Sequence, residues 1–227
     1  MLYTEEMARM NIRNREGKRV FYLGKGETLT PGARDYLSRE RIQVLGAELA
    51  KPEEYRLAGG GVIREKPEHM THLHGDLLVC KTHPRIRFRG EMDALEAELL
   101  LCQLTCEKWR QELGEILALA RNLIRWEVMD EPAAEGKLCG LTGDELRSHS
   151  HRPQDFYGQT HFAPAFTDGA AVLQLNRCRT AARRAELAAA AAFADEDGNC
   201  TRTDLLRALN RMSSMLYILM IREKAGK

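Results

Sequence analysis

The sequence predicts an all-α fold, a bundle of four or five helices, with a small mixed α/β appendage at its N-terminus. Three observations predict it. From Gly90 onward, apolar residues recur at three- and four-residue steps through several long segments. Residues 178–193 are rich in alanine and other strong helix formers. Before Ala58-Gly59-Gly60-Gly61, by contrast, the apolar runs are short and strand-like. The glycine run is therefore the expected linker, with residues 1–60 a small α/β segment and 61–227 the helical domain.

Taken in order, Arg19-Val-Phe-Tyr-Leu23 and Arg41-Ile-Gln-Val-Leu45 read as strands. Between them, Thr30-Pro31 supplies an N-cap and a proline at the first helical position, so 32–39 should be helical. Met92, Leu95, Leu99, Cys102 and Cys106 mark one face of a helix that opens near Gly90. A second runs over 111–129, with Leu113, Ile116, Leu117, Ala120, Leu123 and Ile124 facing inward. Thr142 and Glu145 have capping-box spacing and should start a short helix ending near His149. Residues 150–167, with Pro153, Gly158, Pro164 and several aromatics, are expected to form an ordered loop. Asp168 is placed to cap a long helix through about Phe193, and 195–199 to turn the chain. Leu205, Leu209, Met212, Leu216 and Leu219 form the apolar stripe of a last helix.

Bulk properties exclude several functional classes. A formal charge of +1 over 227 residues gives no reason to propose a nucleic-acid or membrane-surface partner. The N-terminus Met1-Leu-Tyr-Thr-Glu-Glu has no apolar leader core, and no run reaches the ~18 apolar residues of a membrane span. The six cysteines are scattered, four within helical patterns, which is the usage of a reducing cytoplasm.

The segment Cys178-Arg-Thr-Ala-Ala-Arg-Arg-Ala-Glu-Leu187 carries the chemistry. Arg179, Arg183 and Glu186 lie on one helix face, and two guanidiniums beside a carboxylate suit a polyanion. A solvated charged face is the competing reading. Upstream stands Lys81-Thr-His-Pro-Arg-Ile-Arg-Phe-Arg-Gly-Glu-Met-Asp-Ala-Leu-Glu-Ala97. Downstream, Leu209-Asn-Arg-Met-Ser-Ser-Met-Leu-Tyr217 follows on the last helix.

Together these three stretches resemble the corrinoid adenosyltransferases. His83-Pro84-Arg85-Ile86, Gly90, Asp93, Leu95 and Ala97 fall in register with the family segment that opens the first bundle helix in the propanediol-utilisation type. Arg179, Thr180, Arg183, Arg184, Ala185 and Glu186 match its second signature, and Asn210-Arg211-Met212-Ser213-Ser214 is similar to its third. The ethanolamine-utilisation branch is closer still, through Thr71-His72-Leu73, Ser148-His149 and the motif ending at Tyr217. The resemblance covers about residues 66–222, and more loosely the N-terminal segment.

The resemblance implies an ATP:cob(I)alamin adenosyltransferase with ATP, Mg2+ and cobalamin as its ligands, making adenosylcobalamin for ethanolamine ammonia-lyase. Cobalt(I) attacks the ribose 5′-carbon and triphosphate leaves, so the protein must hold a charged leaving group in line and keep the cobalt in a dry pocket. On this basis Lys81, Arg179 and Arg183 bind the phosphates, with Glu186 and Asn210 orienting the arginines or binding adenosine and magnesium. Asp93 would pair with an arginine of the long helix, Arg179, across a subunit boundary; its competing role is a first-turn carboxylate favoured by the helix dipole. Asp93, Arg179 and Arg183 form the expected catalytic set. Arg184 and Arg211 are expected to be salt-bridged surface groups.

The family displaces the lower ligand of the corrinoid with an apolar side chain. Phe162 or Phe166 takes that place here, with an ordinary packed loop aromatic as the competing reading; His161, like His149 and His151, contacts the corrinoid or serves as a loop capping group. The resemblance further implies a homo-oligomer, dimer and trimer both open, a cytoplasmic or microcompartment location, and a cobalt(II) reductase as a partner.

Three departures qualify it. The glycine-rich phosphate segment of the propanediol type has no counterpart, Ser214 replaces its aspartate, and Leu187 replaces its final arginine. Some ethanolamine-branch members also carry a His-x11-Cys-Cys-x2-Cys metal motif. This chain has instead His69, His72, His74, Cys80 and His83 in a spacing that fits no standard site, so no protein-bound zinc or iron is expected. The missing phosphate segment favours the alternative reading, a non-catalytic corrinoid carrier or scaffold of the same fold; the retained Arg179, Arg183, Glu186 and Asn210 argue against it.

Overall fold

The computed structural model describes residues 1–15, 17–46 and 54–226. Contacts divide the chain into two units, residues 1–83 with 128–130 and residues 84–127 with 131–227.

In the first unit, β1 (Leu2–Tyr3) leads into α1 (Glu5–Met10), whose N-terminus is capped by the Thr4 hydroxyl accepting from the Met7 N–H. An antiparallel pair follows, β2 (Ile12–Arg15) and β3 (Lys18–Leu23). β4 (Thr28–Leu29) pairs with β1, and α2 (Pro31–Arg39) begins at the predicted place, with the Thr30 hydroxyl accepting from the Ala33 N–H. β5 (Gln43–Gly46) then lies parallel to β3. Ala8, Phe21, Ala33, Tyr36, Leu37 and Ile42 close a small core between helices and sheet.

Strands flank the glycine run on both sides. β6 (Tyr55–Leu57), β7 (Val62–Ile63), β8 (Met70–His74) and β9 (Leu77–Cys80) form a four-stranded sheet in the order β7-β6-β9-β8. The fold is therefore not purely all-α: alongside eight α-helices, the described residues hold three small sheets. The physical reason is local. The two-residue turn Gly75-Asp76 reverses the chain, and Leu73, Leu78 and Val79 are buried where a loop would leave them exposed. Gly75 sits at φ +53°, and a Cβ there would come within 3.2 Å of the Asn14 carbonyl.

The second unit is helical: α3 (Pro84–Thr105), α4 (Arg110–Met129), α5 (Gly143–His151), α6 (Pro153–Tyr157), α7 (Ala170–Ala192) and α8 (Thr203–Lys224). α3, α4, α5, α7 and α8 bury one face each in a single apolar cluster. α3 starts at Pro84, six residues before the expected Gly90, and its first turns bury polar chemistry. Glu127 of α4 is fully buried and takes Arg85 Nε at 2.5 Å and Arg89 Nε at 2.7 Å. That partner lies far along the chain, so the apolar periodicity could not reveal it.

Two further corrections concern the long connection. Residues 150–167 are not all loop, because α6 forms at Pro153, a residue suited to the first helical position. Asp168 does not cap α7; Gly169 occupies the cap position at φ +88°. The Asp168 carboxylate accepts instead from the Ala165 N–H at 2.8 Å and from Lys224 Nζ at 2.7 Å. The capping box at Thr142 and Glu145 is present as predicted.

Ion pairs set the helix register. Arg177 meets Glu98 at 2.6 Å and Arg184 meets Glu91 at 3.2 Å, so α3 and α7 run antiparallel. After α7, the Asp195 carboxylate accepts from the N–H groups of Asp197 and Asn199, and the chain returns as α8.

Candidate active site

α7 supplies the frame of the site. Val172, Leu175, Cys178, Ala181, Ala182, Ala185, Ala188 and Ala189 are buried, and the short alanines let the neighbouring helices pack close to its backbone. Arg179, Arg183 and Glu186 are left on the remaining face.

Arg179 is half-buried. Its Nε and NH2 both donate to Asn176 Oδ1, at 3.0 and 2.8 Å. That partner is neutral. Burial, and then the neighbouring Arg183 charge, hold the Arg179 guanidinium below its usual pKa, against a smaller opposing effect of Tyr217. Arg183 is exposed and makes no ion pair or hydrogen bond among the described residues. Two adjacent guanidiniums thus face outward with no carboxylate bonded to either.

Glu186 reaches across to α8, its Oε1 accepting from Asn210 Nδ2 at 3.0 Å. Asn210 Oδ1 accepts in turn from Arg211 NH1 at 2.7 Å, which orients the amide. Arg184 is salt-bridged as expected. Arg211 makes no ion pair among the described residues; its partner is Asn210, and its Nε is buried without one.

The pairing of Glu186 with Asn210 fixes how α7 and α8 face each other. Two turns back along α7 and two turns forward along α8, Arg179 stands across from Tyr217. The Tyr217 hydroxyl and His161 Nδ1 are 2.9 Å apart, and their rings lie parallel, 5.8 Å between centroids. Phe162 stacks on the same tyrosine at 6.3 Å, with Lys224 Nζ 4.2 Å above its ring. Phe166 is 87% exposed, on a 3-10 turn at the end of the loop. The aromatic loop and the arginine face therefore meet at Tyr217.

Lys81 and Asp93 have no hydrogen bond or ion pair to these residues. Lys81 follows β9 in the first unit and pairs with Glu68 at 3.0 Å. Asp93 is exposed on the outer side of α3 and has no bonded partner among the described residues; Arg179 bonds Asn176 rather than Asp93 within one chain. Asn176 and Tyr217 are the two residues that sequence reasoning left out of the site. Tyr217 closes the last motif, and Asn176 stands one helical turn before Arg179, so both were within reach of a helical-face reading.

His69, His72, His74, Cys80 and His83 lie on or next to the hairpin of β8 and β9. Among the described residues, no three histidine, cysteine or acidic side chains form a group able to hold a metal ion.

The model of the cobalamin adenosyltransferase family matches residues 62–223, a span that includes the arginine face of α7 and the aromatic loop. The chain belongs to the cobalamin adenosyltransferase family. Among its relatives is the corrinoid adenosyltransferase EutT of Salmonella typhimurium strain LT2, 31% identical over 96% of this chain and 90% of that protein. The corrinoid adenosyltransferase EutT of Escherichia coli K12 is 28% identical over the same shares. A cobalamin adenosyltransferase is a transferase, so the arginine face and the aromatic loop belong to an enzyme. No helix among the described residues is long and apolar enough to cross a membrane.

Proposed function

We propose that this protein transfers the 5′-deoxyadenosyl group of ATP to the cobalt(I) of a reduced cobalamin. In that step a cobalt–carbon bond forms at the ribose 5′-carbon, and the bond from that carbon to oxygen breaks. The electron pair of the broken bond leaves with triphosphate. The observation that carries the reading is the outward pair Arg179 and Arg183. A structural arginine pair would be neutralised by carboxylates. Here only Arg179 is bonded, to an asparagine amide, and its charge is costly where it stands. A polyanion compensates both, and its charge grows at the leaving group as the bond breaks, which is where electrostatic stabilisation lowers the barrier.

Around that pair, Glu186 and Asn210 bind adenosine and the Mg2+ that accompanies ATP. The Glu186 carboxylate is a hard oxygen donor of the kind Mg2+ takes, and its second oxygen is left for such a ligand. Lys81 adds a point charge to the phosphates. Asp93 pairs with Arg179 of a second copy, which makes the enzyme a homo-oligomer with sites between subunits. The outer side of α3 around Asp93 supports this, because Leu100, Leu101 and Leu104 are exposed there by 44%, 51% and 73%.

His161 and Phe162 shape the corrinoid side, with Phe166 the more exposed of the two loop aromatics. A four-coordinate cobalt, freed of its lower ligand by one of them, is easier to reduce to the nucleophilic state. A cobalt(II) reductase supplies the electron, and ethanolamine ammonia-lyase, in the cytoplasm or a microcompartment, uses the product. This reading assigns the chemistry to residues 61–227, the strands of residues 62–80 included.

The test is anaerobic incubation of the protein with cob(I)alamin, ATP and Mg2+, followed by visible absorbance. Loss of the cobalt(I) band with growth of a light-sensitive organocobalt spectrum is the expected result. Persistent cobalt(I) with no ATP binding by calorimetry would overturn the reading in favour of a corrinoid carrier.

A further inference from the structure

Parts of the candidate site converge at Tyr217. From α8, its ring underlies both His161 and Phe162. Its hydroxyl bonds His161 Nδ1, and the helix register sets it opposite Arg179. The second nitrogen of His161, Nε2, is 3.1 Å from the His151 carbonyl, at the end of α5. A carbonyl only accepts, so Nε2 donates to it, while Nδ1 meets the Tyr217 hydroxyl. The histidine is thus clamped between two elements, which fixes its ring orientation.

The segment so clamped is discrete. Gly158 (φ +69°) and Gly169 (φ +88°) bound it, both in backbone conformations that side chains rarely adopt. Between them, most residues are exposed, and of residues 159–168 Phe162 alone packs against the apolar core. Two fastenings to α8 fix the loop: Tyr217 at its start, and Lys224 at its end, where Nζ bonds Asp168 and lies over Phe162.

We propose that Tyr217 is a positioning residue for the corrinoid side of the site: through His161 it seats the loop of residues 159–168, and with it Phe162, beside the Arg179 guanidinium. This rests on the transferase reading above and adds to it the group that fixes where the corrinoid lies relative to the nucleotide. A loop aromatic that floated on its two glycine ends would bind a corrinoid in many poses; one stacked on α8 presents a single surface. Tyr217 touches no reacting atom and acts only by placing residues that do.

Tyr217→Phe tests this, because it removes one hydroxyl and keeps the ring. Loss of one hydrogen bond should raise the KM for cob(I)alamin about five- to tenfold, while the KM for ATP and the affinity for inorganic triphosphate stay within twofold. His161→Ala should give a similar rise, and the double variant no further one. Equilibrium titration with cob(II)alamin, which needs no turnover, should show the same weakening. An unchanged corrinoid KM, an equal loss for both substrates, or additive effects of the two substitutions would overturn the proposal. Wild-type protein that binds cob(II)alamin but transfers nothing would refute the transferase reading, and the titration would still decide the role of Tyr217. Wild-type protein that binds no corrinoid would overturn both.

Discussion

Arg183→Ala is expected to remove nucleotide binding while leaving stability unchanged, and the two magnitudes come from the same geometry. Arg183 is exposed on α7 and bonds nothing among the described residues, so truncating it breaks no folded-state contact. Alanine is the best helix former, and surface changes of this kind fall within about 0.5 kcal/mol. Toward a triphosphate the balance is different. A guanidinium fork makes two charge-assisted hydrogen bonds of about 1.5–3 kcal/mol each. Losing about 3–4 kcal/mol corresponds to a roughly 10²–10³-fold rise in Kd. Calorimetry with ATP, and separately with inorganic triphosphate, reads the binding arm; thermal unfolding reads the other. Arg179→Ala should behave differently. It removes a half-buried charge that burial and Arg183 both disfavour, so unfolding should shift little or even upward while binding is lost. A wild-type Kd in Arg183→Ala would refute the assignment of this face to the phosphates.

Other outcomes follow from the packing. Glu127→Ala leaves Arg85 and Arg89 without their shared buried carboxylate and should cost about 3–5 kcal/mol. That is a fall in Tm of roughly 6–20 °C, and a fall of only a degree or two would show that the pair does not hold α3 to α4. The Asp204 carboxyl is pushed up by burial, but its bonds from Arg202 and from the Ala133 and Leu205 N–H groups prevail and bring it to about 2. A carboxyl with a folded pKa below its unfolded value stabilises above the unfolded pKa. Its contribution should therefore fade as pH falls from about 4 toward 2, and Asp204→Asn should flatten acid denaturation over that window. Among the thiols, Cys80 is exposed, while Cys102, Cys106 and Cys178 are buried. For Cys102, the Cys106 contact pulls the pKa down, but Cys178 and burial push it up to about 12. Cys80 should be labelled first by a thiol reagent, with the buried three reacting only on unfolding; early labelling of Cys178 would contradict the α3–α7 packing.

The chain's own pattern determined what depends on near neighbours. The cap at Thr30, the capping box at Thr142 and Glu145, and the apolar stripes of α4 and α8 are set by residues within a few positions of one another, and all are present. The shared face of Arg179, Arg183 and Glu186 follows from helical spacing alone. Tertiary structure decided what depends on distant partners. α3 opens at Pro84 rather than Gly90 because Glu127, on another helix, makes it possible to bury Arg85 and Arg89. The run Met70-Thr-His-Leu-His74 is a strand because β9 pairs with it and Leu73 has somewhere to pack. Asp168 is drawn from its capping role by Lys224 of α8. Above all, no spacing rule connects His161 to Tyr217, or Tyr217 to Arg179. The register in which Glu186 finds Asn210 sets Tyr217 opposite Arg179, the loop brings His161 to it, and hydrogen-bond partners separated by dozens of residues leave no periodic trace in a sequence.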